Sequence, residues 1–188
     1  MNHMKNEQLD QTVTLLVETF RKGGKLLICG NGGSAADSAH IAGELVKGFR
    51  KKRPLPKAWS EALGDVPLQM GLPAIDLTAQ STVISATAND LGGALVYAQQ
   101  VMAYGCPGDV LLGISTSGNA DNVLMAMRVA RIKGLHCVAL TGRGGGKIGR
   151  EAELVIASPE TETYRVQEMH IVYYHELCAR VEAELYPI

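Results

Sequence analysis

The chain has 188 residues, 46% apolar and 20% charged, the profile of one globular domain with a sizeable core. A formal net charge of −1 offers no basic field for nucleic acid or for a membrane surface. The opening "MNHMKNEQLDQ" lacks the apolar centre of a secretion signal, and no run approaches the ~20 apolar residues of a membrane span, so the cytoplasm is the expected compartment.

Leu9, Val13, Leu16, Val17 and Phe20 recur at helical spacing, which predicts an N-terminal helix over 5–22, stopped by Gly23 and Gly24. "KLLIC" reads as a buried strand and residues 33–47 as a helix, and "PAIDL" reads as a short second strand. Residues 93–104 read as helix, "DVLLGIS" as strand, and Val123, Met127 and Ala130 mark a helix closed by Gly134. "HCVALTG" and "ELVIAS" supply two further strands, and a long helix covers 163–185. Short apolar runs alternating with amphipathic helices predict a single doubly wound α/β domain over 1–188, with a five-stranded parallel sheet flanked by helices.

Residues 50–72 break this rhythm with prolines and the only tryptophan, Trp59, and read as an irregular loop that is a surface excursion, a flap or a subunit contact. Cys29, Cys106, Cys137 and Cys178 are too widely spaced for a metal or redox pair and read as reduced, mostly buried residues.

Ligands of doubly wound sheets bind beyond the carboxyl ends of the strands, where two loops stand out, "GNGGSA" and "STSGNA". Gly30, Gly32 and Ala35 fit a dinucleotide fingerprint, but the acidic residue it needs about 20 positions later is replaced by the basic run Arg50 to Arg53. "GRGGGK" resembles a nucleotide-binding loop, yet Ile148 follows the lysine where a hydroxyl is required, so it reads as a flexible turn. Ser115, Thr116 and Ser117 crowd one strand-to-helix turn, and hydroxyls with free helix amides cradle a phosphate dianion. One cap would need one such residue, not three.

His40 and Glu44 stand one helical turn apart and share a face. Gln167 and His175 lie about 80° apart around the last helix. The stripe they share with Ile171, Tyr174 and Cys178 reads as apolar and buried. A polar group there must be hydrogen-bonded or liganded. Both readings are open: satisfied core residues, or two imidazoles, a carboxylate and an amide oxygen suited to a borderline divalent cation such as zinc. His170 points to the other side and reads as structural or as support for the site.

Five stretches, "CGNGGSAADSAHIAGEL", "TANDLGG", "GDVLLGISTSGNADNV", "VALTGRGGGK" and "RVQEMHIVYYHELC", resemble in order the sugar isomerase (SIS) domain of the phosphoheptose isomerase family. The resemblance implies a flavodoxin-like fold and an aldose–ketose isomerase interconverting sedoheptulose 7-phosphate and a glycero-manno-heptose 7-phosphate, the first step towards activated heptose. It implies a homotetramer with active sites between subunits, and one Zn2+ per subunit held by His40, Glu44, Gln167 and His175. It carries substrate contacts onto Asn31, Gly32, Gly33, Ser34, Glu44, Asn89, Asp90, Ser115, Thr116, Ser117 and Gln167. Glu44 is the expected base for proton transfer between the first two carbons, with His175 as its acid–base partner. The chain departs from the family at Ala120, where a serine is usual, at Gly48, where an arginine is common, and in the length of the 50–72 loop. The alternatives are an isomerase of another sugar phosphate and a non-catalytic SIS scaffold that binds the bacterial replication initiator. Such scaffolds tend to lack the His/Glu pair. Trp59 and an apolar first helix also suggest a closed oligomer.

Overall fold

Five strands, β1 (Leu26–Cys29), β2 (Ala74–Asp76), β3 (Val110–Ser115), β4 (His136–Thr141) and β5 (Leu154–Ala157), form one parallel sheet in the order β2-β1-β3-β4-β5. This is a computed structural model that describes residues 7–64 and 66–187; the predicted helix start at residue 5 falls outside them. Successive strand residues serve opposite faces. Leu26, Ile28, Leu112 and Val138 enter one core, while Leu27, Cys29, Leu111 and Cys137 enter the other. Burial on both faces is why these strands read as unbroken apolar runs.

The first face is covered by α1 (Glu7–Arg21), α2 (Gly33–Val46) and α8 (Thr163–Leu185), and the second by α5 (Val96–Tyr104), α6 (Asp121–Ile132) and α7 (Gly146–Glu151). Leu9, Val13, Leu16 and Val17 of α1 are buried in the first core, so the apolar face of that helix is satisfied within the domain and is not left for assembly.

Three helices lack a sequence signature. α4 (Ser81–Asp90) buries only Thr87, so it has no apolar stripe to detect. α7 is six residues long and contains two glycines. α3 (Lys57–Leu63) buries nothing and rides within the 50–72 excursion. The base of that excursion is ordered. Leu72 N–H donates to the Leu45 carbonyl at 2.9 Å, and Met70 N–H to the Arg53 carbonyl at 2.8 Å. Gln69 Oε1 accepts from Gly48 N–H at 3.2 Å, and a methyl at position 48 would collide with that same oxygen and with the Lys51 carbonyl. The long excursion and the glycine at 48 are therefore one departure from the family pattern, not two.

Candidate active site

Chain order reverses between β1 and β3, with β2 on one side and β4 on the other, and in such sheets the crevice at that point is where ligands bind. The loops leaving these two strands are "GNG" (30–32) and "TSGNA" (116–120). Asn31 Nδ2 donates to Asn122 Oδ1 at 2.8 Å and Asn122 Nδ2 returns the bond to Asn31 Oδ1 at 2.9 Å, which clamps the first loop to the opening turn of α6 (Asp121–Ile132) just beyond the second. The Tyr97 hydroxyl donates to the Gly30 carbonyl at 2.5 Å and fixes the first loop from below.

Both following helices open toward the crevice without a side-chain cap, α2 after Gly32 and α6 after Ala120. The hydroxyls of 115–117 thus do not cap α6. Ser115 is buried at the strand end, Thr116 is half-buried, and Ser117 is exposed with its Oγ accepting from Asn119 N–H at 3.2 Å. Uncapped helix amides beside hydroxyls suit a phosphate.

The "GRGGGK" segment is not the flexible turn its composition suggests. Gly142 N–H donates to the Thr116 carbonyl at 3.0 Å and Ile148 N–H to the Gly118 carbonyl at 2.9 Å, so this turn braces the hydroxyl loop from behind. Gly118 has φ +67, and a methyl on it would collide with the Gly145 carbonyl, so the two backbones meet with no room for side chains.

Gly33 and Ser34 open α2. Ser34 is buried, with its N–H donating to the Asn31 carbonyl at 3.0 Å. Gln167 of α8 lays its amide against Gly33, where a methyl would collide with Nε2. The amide sits over the amino end of α2.

Further along the same two helices, His40 Nε2 lies 3.2 Å from Glu44 Oε1 and 3.5 Å from His175 Nε2. Phe49 stacks on the His175 ring at 5.6 Å. The Tyr174 hydroxyl shares a 2.9 Å hydrogen bond with His40 Nδ1 and lies near the buried Asp37 carboxylate. In the tautomer that donates from Nδ1 to this hydroxyl, His40 turns its Nε2 lone pair toward Glu44 and His175, the orientation of a ligating imidazole held by an outer hydrogen bond. Burial raises the Asp37 pKa, against the Tyr174 hydrogen bond and the His40 charge. Burial also raises that of Tyr174, helped by Asp37. For His175, burial and then the neighbouring His40 lower the pKa, while Glu44 acts the other way.

Ligands of a tetrahedral zinc bound at about 2.0–2.1 Å stand about 3.3 Å apart, the spacing at which His40 meets Glu44 and His175. Among the described residues no three or more His, Cys, Asp or Glu side chains are arranged to hold a metal ion, and Gln167 keeps to Gly33, so the donor set fits in kind and in the two distances from His40 alone.

The buried stripe of α8 differs from the expected one. Val166, His170, Tyr173, Tyr174, Leu177 and Cys178 face the core, while Ile171 is exposed and Gln167 and His175 are half-buried at its edge. His170 is structural: its Nε2 donates to the Thr141 carbonyl at 3.1 Å in full burial. Asn89 and Asp90 do not join the loops within one chain. They bond each other at 2.7 Å on the exposed end of α4. Sequence reading missed Asn122, Tyr97, Phe49, Tyr174 and Asp37; the adjacency of Tyr174 to His175 is the one signal that could have raised any of them.

These features are those of a phosphosugar site on a SIS fold, and similarity to known proteins agrees. A profile of the SIS domain matches residues 1–142. The phosphoheptose isomerase of Roseiflexus sp. is 46% identical over 91% of this chain and 79% of its own length. The solved phosphoheptose isomerase of Neisseria gonorrhoeae superposes with a TM-score of 0.80 at 36% identity, covering 94% of this chain and 86% of that one. That of Francisella tularensis gives 0.82 at 30%, covering 96% and 87%. The chain belongs to the SIS domain family and, within it, to the phosphoheptose isomerases.

Proposed function

We propose that this chain interconverts sedoheptulose 7-phosphate and glycero-manno-heptose 7-phosphate, the entry to activated heptose. The observation that carries the reading is the convergence of Glu44, His40 and His175 on α2 and α8, the same two helices that place Gly33 and Gln167 beside the clamped glycine and hydroxyl loops. The loops 31–34 and 115–117 hold the phosphate, and Gln167 orients the sugar chain. Glu44 removes the proton from the carbon beside the carbonyl, and His175 serves the neighbouring carbon or oxygen, as general acid–base groups that an enediol pathway requires. His40, Glu44 and His175, with Gln167 as a fourth donor, would hold a zinc ion, and the chemistry it would supply is that of a Lewis acid for the carbonyl.

The assembly is a homotetramer of dihedral symmetry with active sites between subunits. Two observations support this reading. Asn89 and Asp90 are exposed at the end of α4 and bond each other, and Trp59, Leu63, Leu68, Ile171 and Val172 leave apolar surface open. Light scattering that reports a monomer at micromolar concentration rules it out. Among the described residues no helix is long and apolar enough to cross a membrane, and all four cysteines are free, which supports a cytoplasmic location.

The test is incubation with sedoheptulose 7-phosphate in D2O, with and without chelator, followed by NMR of the product. Deuterium at C1 or C2 is the expected result, lost in Glu44→Gln. Exchange by Glu44→Gln near the wild-type rate removes Glu44 as the base.

A further inference from the structure

Behind the site lies an ion pair that the reaction chemistry does not require. Arg53 and Glu182 are both fully buried, and Arg53 Nε donates to Glu182 Oε1 at 2.9 Å. Glu182 also accepts the N–H groups of Phe49 at 2.8 Å, Arg50 at 2.7 Å and Lys51 at 3.0 Å. Arg53 spends its remaining donors on the carbonyls closing α2, Nη1 on Leu45 at 2.5 Å and Nη2 on Glu44 at 3.2 Å.

The bond network touches both reacting side chains at one remove. Glu44, the base of the reading above, has its own carbonyl held by Arg53. Glu182 follows His175 by seven residues, two turns along the same face of α8. Its grip on the 49–51 backbone sets Phe49 against the His175 ring. A buried ion pair is a poor source of stability, because desolvation offsets its attraction and apolar residues of equal size serve as well. What it supplies is direction. Apart from the bond between the two side chains, each bond here runs to the backbone of α2 or of the turn after it.

We propose that Arg53 and Glu182 are positioning residues that lock α2 to α8 and fix the separation and facing of Glu44 and His175. The inference rests on the assignment of those two side chains as the proton-transfer pair.

The test compares Glu182→Gln, Arg53→Lys and Phe49→Leu with Lys25→Met. Lys25 belongs to another ion pair with a buried carboxylate, 2.6 Å to Asp109, at the opposite end of the sheet. Each variant is assayed well below its own melting temperature, and the His175 ring resonances are followed by NMR. Glu182→Gln sets an amide donor against backbone N–H donors, so kcat falls roughly 10–100-fold. KM stays within about twofold, because the phosphate loops are untouched. The His175 resonances move as the Phe49 ring leaves. Phe49→Leu reproduces the resonance shift and part of the kcat loss with the ion pair intact, and decides the matter if Glu182→Gln does not fold. Lys25→Met lowers the melting temperature alone. If Glu182→Gln and Arg53→Lys behave as Lys25→Met does, the pair is merely structural and the proposal fails. A wild-type protein without turnover overturns the isomerase reading instead, and the His175 resonances still report whether the pair positions that ring.

Discussion

Asn31 and Asn122 exchange two amide hydrogen bonds, of 2.8 and 2.9 Å, across the point where the strand order reverses. The clamp joins the first loop to the opening turn of α6, the two places proposed to hold the phosphate, so its loss is felt in binding. Asn122→Ala raises KM by about fivefold, the worth of one neutral hydrogen bond near 1 kcal/mol. Asn122→Asp raises it further, because a carboxylate cannot return the bond to Asn31 Oδ1 and repels a phosphate. Steady-state kinetics decide; equal KM in wild type and both variants means that the clamp does not shape the phosphate site.

Ser117→Ala tests the hydroxyl loop. The Ser117 hydroxyl is exposed and does not cap α6; its oxygen accepts from Asn119 N–H while its proton can reach a ligand, and the phosphate proposed there is remote from the reacting carbons. KM rises more than kcat falls. Unchanged KM with a lower melting temperature reduces the hydroxyl to local turn chemistry.

Gly33→Ala separates activity from stability. The new methyl pushes the Gln167 amide away, and that amide is the end of a flexible, half-buried side chain that can yield at small cost. Alanine is the better helix former by up to about 1 kcal/mol. Turnover therefore drops while the melting temperature holds or rises. A variant that is both active and stable shows that the position of Gln167 is immaterial.

Zinc binding is read most directly without turnover. Protein stripped with chelator and returned to zinc at a hundred times Kd gains about 2.7 kcal/mol. For a chain of this length that is roughly 5–10 °C in Tm. His40→Ala removes the gain. A melting temperature indifferent to zinc in the wild type excludes the metal site.

The buried His170 gives the fold a pH dependence of known sign. Burial lowers its pKa from 6.5, opposed by the hydrogen bond to Thr141, and its Nδ1 has no partner in the core. The unfolded chain therefore takes up this proton first. The contribution is complete above pH 6.5 and declines as the pH falls through the lower folded-state value, by at most about 1.4 kcal/mol per unit. In a series of thermal melts, His170→Gln flattens that acid limb. An unaltered limb assigns it to other groups.

The strands were legible because burial on both faces leaves no polar interruption, as in Leu26–Cys29 and Val110–Ser115. α4 was not, because a helix that buries only Thr87 carries no periodic signal. On α8 the stripe of Gln167 and His175 reads as buried, whereas both lie half-buried at its edge. Its apolar residues run nearly all the way round, from buried Tyr173 to exposed Val172, and spacing cannot say which side meets the sheet. His40 and Glu44 could be paired from their spacing alone, whereas the Asn31–Asn122 clamp and the bond from Tyr174 to His40 link residues 91 and 134 positions apart.

The sole tryptophan rides at the tip of the 50–72 excursion, 56% exposed, on a helix that buries nothing. Intrinsic fluorescence of this protein therefore watches that tip and not the core. Denaturant shifts its emission little in an isolated subunit, whereas any surface that closes over α3 moves it to the blue. Circular dichroism follows the helices independently. Recorded together on one diluted sample, the two signals separate departure of a neighbour from melting of the fold.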